Sequence, residues 1–362
     1  MKKLSVIIIA ALWAVLTMCA WFGPESDFSD SERRKLAQFP DLSVKSVLEG
    51  KFMTEFESYT LDQFPLRDSF RQLKALFHYN ALGQKDNNDI YIADGYAAKL
   101  EYPLNETSVA NALKKFNAIY EKHLTGSENI LVSVVPDKGY YLAEDNGYPA
   151  MDYEALFEAV QQGMPWAQFV DITDSLTVSD YYFTDTHWRQ EQIGKVAEVL
   201  CEALGADGFR EGELAPTPVE RPFYGVYYGQ AALPMDAESL YVMTGAVLEN
   251  CTVYNHETGK TTGIYDWDKL ESRDLYDIYL SGAAALLTVE NPNASTDKEL
   301  VVFRDSFGSS VIPLLVKDYR TVTVVDIRYI ASDYVGNLVD FHGQDILFLY
   351  STLVLNDSST LK

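Results

Sequence analysis

The segment Glu299-Leu-Val-Val-Phe-Arg-Asp-Ser-Phe-Gly308 decides the fold, because a continuously apolar run leads within a few residues to a helix predicted over 311–316. A strand that is apolar on both faces is typical of a parallel sheet covered by helices on both sides. Ser306 lies just past the strand predicted over 299–303. The free backbone N–H groups at a helix start could stabilise an oxyanion there.

The same alternation of helix and buried strand extends outward from this segment, back to about residue 108. Such alternation predicts an α/β fold with a mostly parallel sheet and helices on both faces. Ligands of these sheets gather at the carboxyl ends of the strands. The predicted helices are 109–123, 152–162 and 191–204, and the predicted strands are 129–135, 169–171, 321–326 and 345–350.

The first residues are a candidate membrane segment. Lys2 and Lys3 precede an apolar run over 4–22, which is about 28 Å long as a helix and matches the hydrocarbon core of a bilayer. Because the positive charges precede the run, the remaining chain is predicted to lie outside the cytoplasm. No small-residue cleavage site follows, which favours an uncleaved single-pass anchor; a cleaved signal and a secreted protein are the alternative.

We expect three parts: a transmembrane helix over 1–24, a helical region over 25–100 packing on the main domain, and an α/β domain over 101–362. A Tyr- and Gly-rich stretch at about 220–265 is a predicted insertion in that domain. Apolar residues at helical spacing predict helices between 31 and 82, and an Asp-Gly turn predicts a hairpin at 90–95. The helical stripes contain Phe52, Phe56, Tyr59 and Leu61, then Phe70, Leu73, Leu76 and Phe77.

Charge and cysteine content exclude several classes of function. Across 362 residues, 29 Lys and Arg face 53 Asp and Glu, a net charge of −24, which would repel nucleic-acid phosphates. With 47% hydrophobic and 23% charged residues the chain is globular. Cys19 lies in the apolar run, so Cys201 and Cys251 permit at most one disulfide, and no cysteine pair has zinc-site spacing. We predict no metal and no cofactor.

Two local arrangements carry candidate chemistry. In Asp185-Thr-His187-Trp188, before the helix at 191–204, an Asp two residues before a His can hold one imidazole nitrogen and leave the other free as a base. Ser306 supplies a hydroxyl at the strand-to-helix junction, although no Gly-x-Ser-x-Gly motif surrounds it. Each arrangement alone also fits ordinary helix capping. Together Ser306, His187 and Asp185 are the three parts of an acyl-transfer triad. His342 is the one rival base.

At these residues the chain resembles the DHHW family of bacterial exported proteins, relatives of the alginate O-acetylation proteins with an SGNH-hydrolase-like fold. The naming motif reads Thr184-Asp185-Thr186-His187-Trp188, where Thr186 replaces the first His. The other matching segments are Glu32-Arg-Arg-Lys-Leu36 with Pro40, Asp62-Gln-Phe-Pro-Leu-Arg67-Asp68, Val135-Pro136-Asp-Lys138, Phe223-Tyr-Gly225, Asp274-Leu-Tyr276 with Gly282, Asp305-Ser306-Phe307 and Asp326-Ile-Arg328-Tyr329.

The resemblance implies a permuted triad order, with Ser306 as nucleophile, His187 as base and Asp185 as the carboxylate that orients the base. The predicted substrate-binding residues are Lys138, Arg304, Tyr276, Gly282 and Arg328. Where the family often has Gly-Gly-Asn, this chain has Ser281-Gly282-Ala283, so an Asn that would help to bind substrate is missing.

These observations predict an extracytoplasmic, membrane-anchored O-acyltransferase or esterase that acts on acyl groups, chiefly acetyl, of a cell-surface polysaccharide. By analogy with the relatives, a polytopic membrane acyltransferase would supply the acyl group. The acidic balance favours a neutral or weakly charged glycan; Arg67, Lys138, Arg304 and Arg328 would oppose this only if they formed a local basic patch. The alternative is a non-catalytic surface protein that binds glycans through aromatics such as those in Phe223-Tyr-Gly-Val-Tyr-Tyr228, or a structural envelope protein.

Overall fold

The structure is a computed structural model that describes residues 2–29 and 31–362. The chain divides into two compact units. The first contains Met1–Ile90 and Val226–Met235, and the second contains Tyr91–Gly225 and Asp236–Lys362.

The first unit begins with α1 (Lys2–Phe22), which is exposed and, over Lys3–Phe22, long and apolar enough to cross a membrane. This helix fits either a single-pass anchor or a signal sequence. The remaining elements of the unit are β1 (Phe28–Ser29), β2 (Arg34–Lys35), α2 (Val44–Leu48), α3 (Lys51–Asp62), α4 (Arg67–Ala81), β3 (Asp86–Asn87) and a short helix at Val226–Ala231.

The helical prediction from residue 31 onward holds only from α2. Instead of starting a helix, the chain pairs Phe28 with Lys35 in an antiparallel ladder, and Arg33 has a left-handed φ of 53° that a helix does not allow. Arg34 donates two hydrogen bonds to Asp62, at 2.8 and 2.6 Å. These bonds fix the extended segment against the end of α3, so a distant ion pair overrides the local helical pattern.

The second unit is built on an eight-stranded sheet of order β11-β10-β12-β14-β13-β15-β6-β7. From β14 to β7 all neighbours are parallel, whereas β12, β10 and β11 add an antiparallel edge. The prediction of a mostly parallel α/β sheet is confirmed. The strands are β6 (Ile130–Val135), β7 (Gln168–Phe169), β10 (Thr252–Asn255), β11 (Lys260–Gly263), β12 (Leu286–Glu290), β13 (Lys298–Arg304), β14 (Tyr319–Val325) and β15 (Asp345–Ser351).

Helices cover both faces of this sheet. The strand β13 shows why, because Leu300 and Val302 join one buried cluster while Val301 and Phe303 join the other. The first cluster includes residues of α8 and α9, and the second includes residues of α5, α7 and α10. The helices are α5 (Glu106–Ile119), α6 (Gly139–Leu142), α7 (Tyr153–Gly163), α8 (Gly194–Leu204), α9 (Gly308–Leu315) and α10 (Thr352–Asn356).

Two hairpins and several short turns complete the second unit. One hairpin joins β4 (Ile90–Ala93) to β5 (Tyr96–Lys99) through the predicted Asp94-Gly95 turn. The other pairs β8 (Ala215–Phe223), which ends within the Tyr- and Gly-rich stretch, with β9 (Glu238–Thr244) inside that stretch. A π-helical turn lies at Tyr120–Leu124, and 3₁₀ turns lie at Thr173–Ser175, Val178–Asp180, Gln190–Gln192, Leu248–Asn250, Trp267–Glu271, Leu275–Ile278, Ser332–Asn337 and Ser358–Thr360.

Candidate active site

Ser306 lies directly after β13, near the middle of the sheet, in the turn that leads into α9. Asp305 fixes this turn, because its carboxylate accepts from the backbone N–H of Phe307 at 3.0 Å and from that of Ser351, at the end of β15, at 2.7 Å. A Cβ at Gly308 would lie 2.7 Å from the Cβ of Arg304, so only glycine lets the helix begin this close to the strand. The turn thus leaves the Ser306 side chain half-buried at the carboxyl end of the sheet.

His187 and Asp185 complete a hydrogen-bonded chain with Ser306. The Nε2 of His187 lies 2.8 Å from Ser306 Oγ, and its Nδ1 lies 2.6 Å from Asp185 Oδ1. The same Asp185 oxygen accepts the His187 backbone N–H at 3.0 Å. One buried carboxylate therefore orients both the ring and the backbone of His187. With Nδ1–H facing Asp185, Nε2 is left to accept the proton of the serine hydroxyl.

Glu238 holds the loop that carries these residues. Its carboxylate accepts the backbone N–H of Phe183 at 2.5 Å, and the N–H and hydroxyl of Thr184 at 2.7 and 2.5 Å. Thr184 Oγ1 in turn accepts the N–H of Gly225 at 2.8 Å. Glu238 starts β9, so a hairpin 53 residues downstream fixes the segment just before Asp185. Glu238 is not among the residues predicted from the sequence, and no local pattern around it points to this role.

The imidazole of His187 is packed between aromatic rings. The Tyr276 ring stacks on it with centroids 3.9 Å apart and planes within 9°, and the Phe307 ring lies 4.9 Å away. The Tyr276 hydroxyl donates to Ser310 Oγ at 2.8 Å, and Trp188 Nε1 donates to the same oxygen at 2.9 Å. Ser310, also missed from the sequence, therefore links both aromatic side chains to the first turn of α9.

Lys138 is almost fully buried and faces the same loop. Its Nζ donates to the carbonyls of Tyr182 at 2.8 Å and Phe183 at 3.3 Å. Burial lowers the pKa of Lys138 to about 7, while the nearby charges of Asp185 and Glu238 act in the opposite direction. The ammonium group thus supports the backbone two to three residues before Asp185. Direct contact of Lys138 with substrate stays a prediction.

Three of the other predicted binding residues, Arg304, Gly282 and Arg328, are connected through hydrogen bonds and ion pairs. Arg304 is fully buried; it donates to the Gly282 carbonyl at 3.2 Å and lies 3.6 Å from the Asp326 carboxylate. Burial lowers the pKa of this guanidinium. Arg328 donates to both oxygens of Asp326. Arg304 and Arg328 thus share the single carboxylate of Asp326, and their role toward substrate also stays a prediction.

The loop around Gly282 has an unusual backbone. Leu280, Ser281 and Gly282 have φ values of 53°, 61° and 82°, three left-handed residues in succession. Non-glycine residues in this region store strain, which clusters at functional sites. The N–H of Gly282 donates to the Tyr279 carbonyl at 3.1 Å, and a Cβ on Gly282 would lie 2.3 Å from Asp277 Oδ1. Glycine is therefore required here for space as well as for backbone conformation.

His342 does not lie near Ser306. Its Nε2 lies 3.3 Å from a carboxylate oxygen of Glu299, close to the start of β13, whereas Ser306 follows the end of that strand. An extended strand of this length separates its two ends by roughly 20 Å. The prediction of His342 as a rival base for Ser306 is therefore wrong. Within residues 2–29 and 31–362, no three His, Cys, Asp or Glu side chains are grouped as metal ligands.

The fold of this chain is similar to the folds of several solved structures. A DHHW family protein from Eubacterium siraeum DSM 15702 superimposes with a TM-score of 0.61 at 20% identity, over 76% of this chain and 94% of that chain. The chain has the fold of a DHHW family protein. The resemblance found in the sequence is thus confirmed for the fold.

Two further proteins are similar in structure. Bacillus cereus PatB1 superimposes with a TM-score of 0.59 at 15% identity, over 74% of this chain and 96% of that chain. It has also been solved with a sulfonyl adduct, for which the TM-score is 0.57. The O-acetyltransferase domain of Pseudomonas putida AlgJ gives 0.45 at 12% identity, over 74% and 92% of the two chains. No protein-family model and no curated protein sequence matches the chain.

Proposed function

We propose that this protein is an extracytoplasmic serine O-acyltransferase or esterase, anchored by α1, that acts on acyl groups of a cell-surface polysaccharide. The observation that carries the proposal is the unbroken hydrogen-bonded chain from Ser306 through His187 to Asp185. Nucleophile, base and orienting carboxylate stand in the order that acyl transfer requires. Acetyl is the acyl group that the family resemblance favours.

The reaction proceeds in two half-reactions. Ser306 Oγ attacks the acyl carbonyl carbon while His187 Nε2 takes the hydroxyl proton, and Asp185 stabilises the resulting imidazolium. When the bond to the leaving oxygen breaks, His187 returns the proton to that oxygen, and the acyl group stays on Ser306. A sugar hydroxyl or water then attacks the acyl-enzyme, with His187 again taking the proton, and the Ser306 hydroxyl is restored.

The oxyanion of each tetrahedral intermediate needs hydrogen-bond donors in place before the reaction. Among the backbone hydrogen bonds of the described residues, none uses the N–H of Ser306, while Phe307 and Gly308 use theirs inside the turn. The Ser306 N–H is therefore our candidate first donor. The N–H of Gly282 is not available as a donor to the oxyanion in this structure, because it donates to the Tyr279 carbonyl.

A protein of similar fold, Bacillus cereus PatB1, has been solved with a sulfonyl adduct. The partner that would supply the acyl group, a polytopic membrane acyltransferase, rests on the family resemblance alone. The net charge of −24 favours a neutral or weakly charged glycan as acceptor.

The decisive experiment labels the protein with a fluorophosphonate and measures acetate release from an acetylated glycan. Ser306→Ala is expected to abolish both signals. Ser309→Ala is the matched control, because Ser309 is a serine of the same helix start with its Oγ outside the triad. Unchanged acetate release by Ser306→Ala would refute the triad.

The second candidate is a glycan-binding protein without catalysis. The rings of Phe183 and Tyr224 are exposed, and they flank the loop of Asp185 and the glycine that packs on it. Exposed aromatic rings are suitable surfaces for stacking sugars. Glycan binding by a protein that neither reacts with fluorophosphonate nor releases acetate would favour this candidate.

A further inference from the structure

The helix α4 carries an apolar stripe that the described chain leaves uncovered. Phe70, Leu73 and Phe77 are spaced by three and four residues and therefore lie on one face, and Leu66 is the residue just before the helix. All four are between 43% and 68% exposed. Ala75, on the opposite face, is fully buried. The amphipathic pattern is thus inverted, since its small residue faces the protein and its large apolar residues face outward.

Exposed aliphatic residues are concentrated in the same part of the chain. Between residues 91 and 362, Leu338 is the one Leu, Ile, Val or Met side chain among the large exposed hydrophobics. Between residues 42 and 82 there are ten. A large exposed apolar surface marks contact with a membrane or a protein. The ten are Leu42, Val44, Val47, Leu48, Met53, Leu61, Leu66, Leu73, Leu76 and Leu82.

Hydrogen bonds tie this region to the end of α1. The side chain of Gln63, between α3 and α4, accepts the N–H of Ser26 at 2.9 Å and donates to its carbonyl at 2.8 Å. The Tyr59 hydroxyl donates to Glu25 at 2.5 Å. Ser26 follows the last residue of α1 by only four positions. The start of α4 is therefore held close to the point where α1 would leave a bilayer.

Two cavities show the same proximity. One, of about 560 Å³, is lined by Cys19 and Gly23 at the end of α1 and by Leu66 at the start of α4. The other, of about 440 Å³, lies between Trp13 and Trp21 of α1 and Phe56 of α3. Residues of α3 and α4 thus lie beside the C-terminal half of the apolar helix.

The charge of the segment that contains α4 favours lipid as the molecule that contacts the apolar stripe. Residues 23–90, which follow the apolar helix, contain nine Lys and Arg against twelve Asp and Glu, a net charge of −3, whereas residues 91–362 carry −23. The helix α4 itself has three Lys and Arg against one Asp, so it can approach an anionic membrane surface that would repel the acidic remainder. Amphipathic helices with aromatic and leucine residues on one face and basic residues on another bind in this way.

We propose that α4 lies in the interface of the outer leaflet, with Leu66, Phe70, Leu73 and Phe77 in contact with lipid. The chain would then have a second membrane contact besides α1. This proposal does not depend on the acyltransferase activity, and its test uses no turnover measurement.

The test places an environment-sensitive nitrobenzoxadiazole label on α4 of the full chain. A Cys19→Ala background removes the exposed cysteine, and Cys201 and Cys251 are buried. Leu73→Cys puts the label on the stripe, and Gln72→Cys puts it on a neighbouring exposed position of another face. Both proteins are reconstituted in vesicles of equal parts phosphatidylcholine and phosphatidylglycerol, and circular dichroism verifies that each retains the fold.

The expected result is that lipids with a spin label in the acyl chain quench the label at position 73 about threefold more than at position 72. Aqueous iodide should show the opposite order. Equal quenching by the lipid at both positions would overturn the proposal. Protection of position 73 from iodide without quenching by the lipid would also overturn it, since a protein would then cover the stripe.

Discussion

The imidazole of His187 stacks face to face on the phenol ring of Tyr276, with centroids 3.9 Å apart and planes within 9°. This contact restricts the ring to the plane in which Nδ1 meets Asp185 and Nε2 meets Ser306. The carboxylate fixes one edge of the imidazole, and the aromatic face prevents it from tilting. We therefore regard Tyr276 as a positioning residue for the base in the proposed reaction.

Two substitutions at Tyr276 separate the effect of ring stacking on activity from the effect of the hydroxyl. Tyr276→Phe keeps the stack and loses only the hydrogen bond to Ser310, so kcat should fall only a few fold. Tyr276→Leu removes the stack, and a misplaced base should lower kcat by about 10²-fold. Acetate release at saturating substrate measures both. Equal loss in the two variants would mean that the hydroxyl, and not the ring, is what matters.

Asp185→Asn tests the orientation of the base. The amide can place its NH₂ group toward Nδ1 and favour the wrong imidazole tautomer, and in a serine triad this change lowers kcat by about 10⁴-fold. The fold should survive, because the amide has the same shape as the carboxylate. Single-turnover kinetics with a chromogenic acetyl ester, next to a thermal melt, would measure the two effects separately. A rate within about tenfold of the wild type would contradict the role assigned to Asp185.

Local patterns in the sequence were sufficient for the mostly parallel sheet and for the position of Ser306 at a strand-to-helix junction. The strand before Ser306 is apolar on both faces, and both faces are buried in the structure, each in a different cluster. Buried parallel strands carry this signal in their own residues. The positions of Ser306 and His187 at the ends of elements followed from the same pattern, although their 2.8 Å contact joins residues 119 positions apart.

The parts that could not be predicted depend on contacts between distant segments. Nothing near Glu238 indicates that it binds the backbone of Phe183 and Thr184. The stripe of α4 was visible as a helical pattern, but periodicity does not tell whether the apolar face meets protein or lipid. What covers an apolar helix face depends on the tertiary structure around it, so the periodic pattern of one helix does not reveal it.

Glu238→Gln tests whether the loop before Asp185 must be fixed from outside. An amide keeps one acceptor oxygen but turns NH₂ donors toward N–H groups, so one backbone donor loses its partner. We expect kcat to fall about tenfold and the melting temperature to fall by a few degrees. Asp236→Asn, an exposed carboxylate just before β9, is the matched control and should leave both values unchanged. A Glu238→Gln enzyme with wild-type kcat would show that the loop holds its shape without this carboxylate.

The stability of the protein should depend on pH through Lys138. Burial lowers the pKa of its ammonium from 10.5 to about 7, so above that pH the folded state has released a proton that the unfolded chain still binds. The free energy of unfolding should therefore rise with pH from about 7 upward, because the unfolded state binds more protons. Urea titrations between about pH 6 and about pH 9 measure the slope.

Lys138→Met should flatten this slope, whereas Lys114→Met, at an exposed lysine of α5, should leave it as in the wild type. The comparison of slopes removes the contribution of other titrating groups, which all three proteins share. If the free energy of unfolding of Lys138→Met depends on pH as in the wild type, Lys138 keeps its proton in the folded protein. That result would contradict a lowered pKa for Lys138.

Gly225→Ala tests the close approach between the loop of the base and the segment after β8. A Cβ at Gly225 would lie 2.3 Å from both the Cα and the Cβ of Asp185 and 2.4 Å from its nitrogen. The clash is with backbone on the residue that orients His187, so neither side can yield through a side-chain rotation. The variant should lose about 1–3 kcal/mol of stability, as overpacked sites do. It should also lose activity, since the Asp185 carboxylate must move.

Gly194→Ala is the control. No atom lies within 4 Å of the added Cβ, and the residue starts α8, so this variant should leave activity unchanged. A Gly225→Ala protein as stable and as active as Gly194→Ala would show that the loop carrying Asp185 has room to shift without disturbing the hydrogen bond between Ser306 and His187.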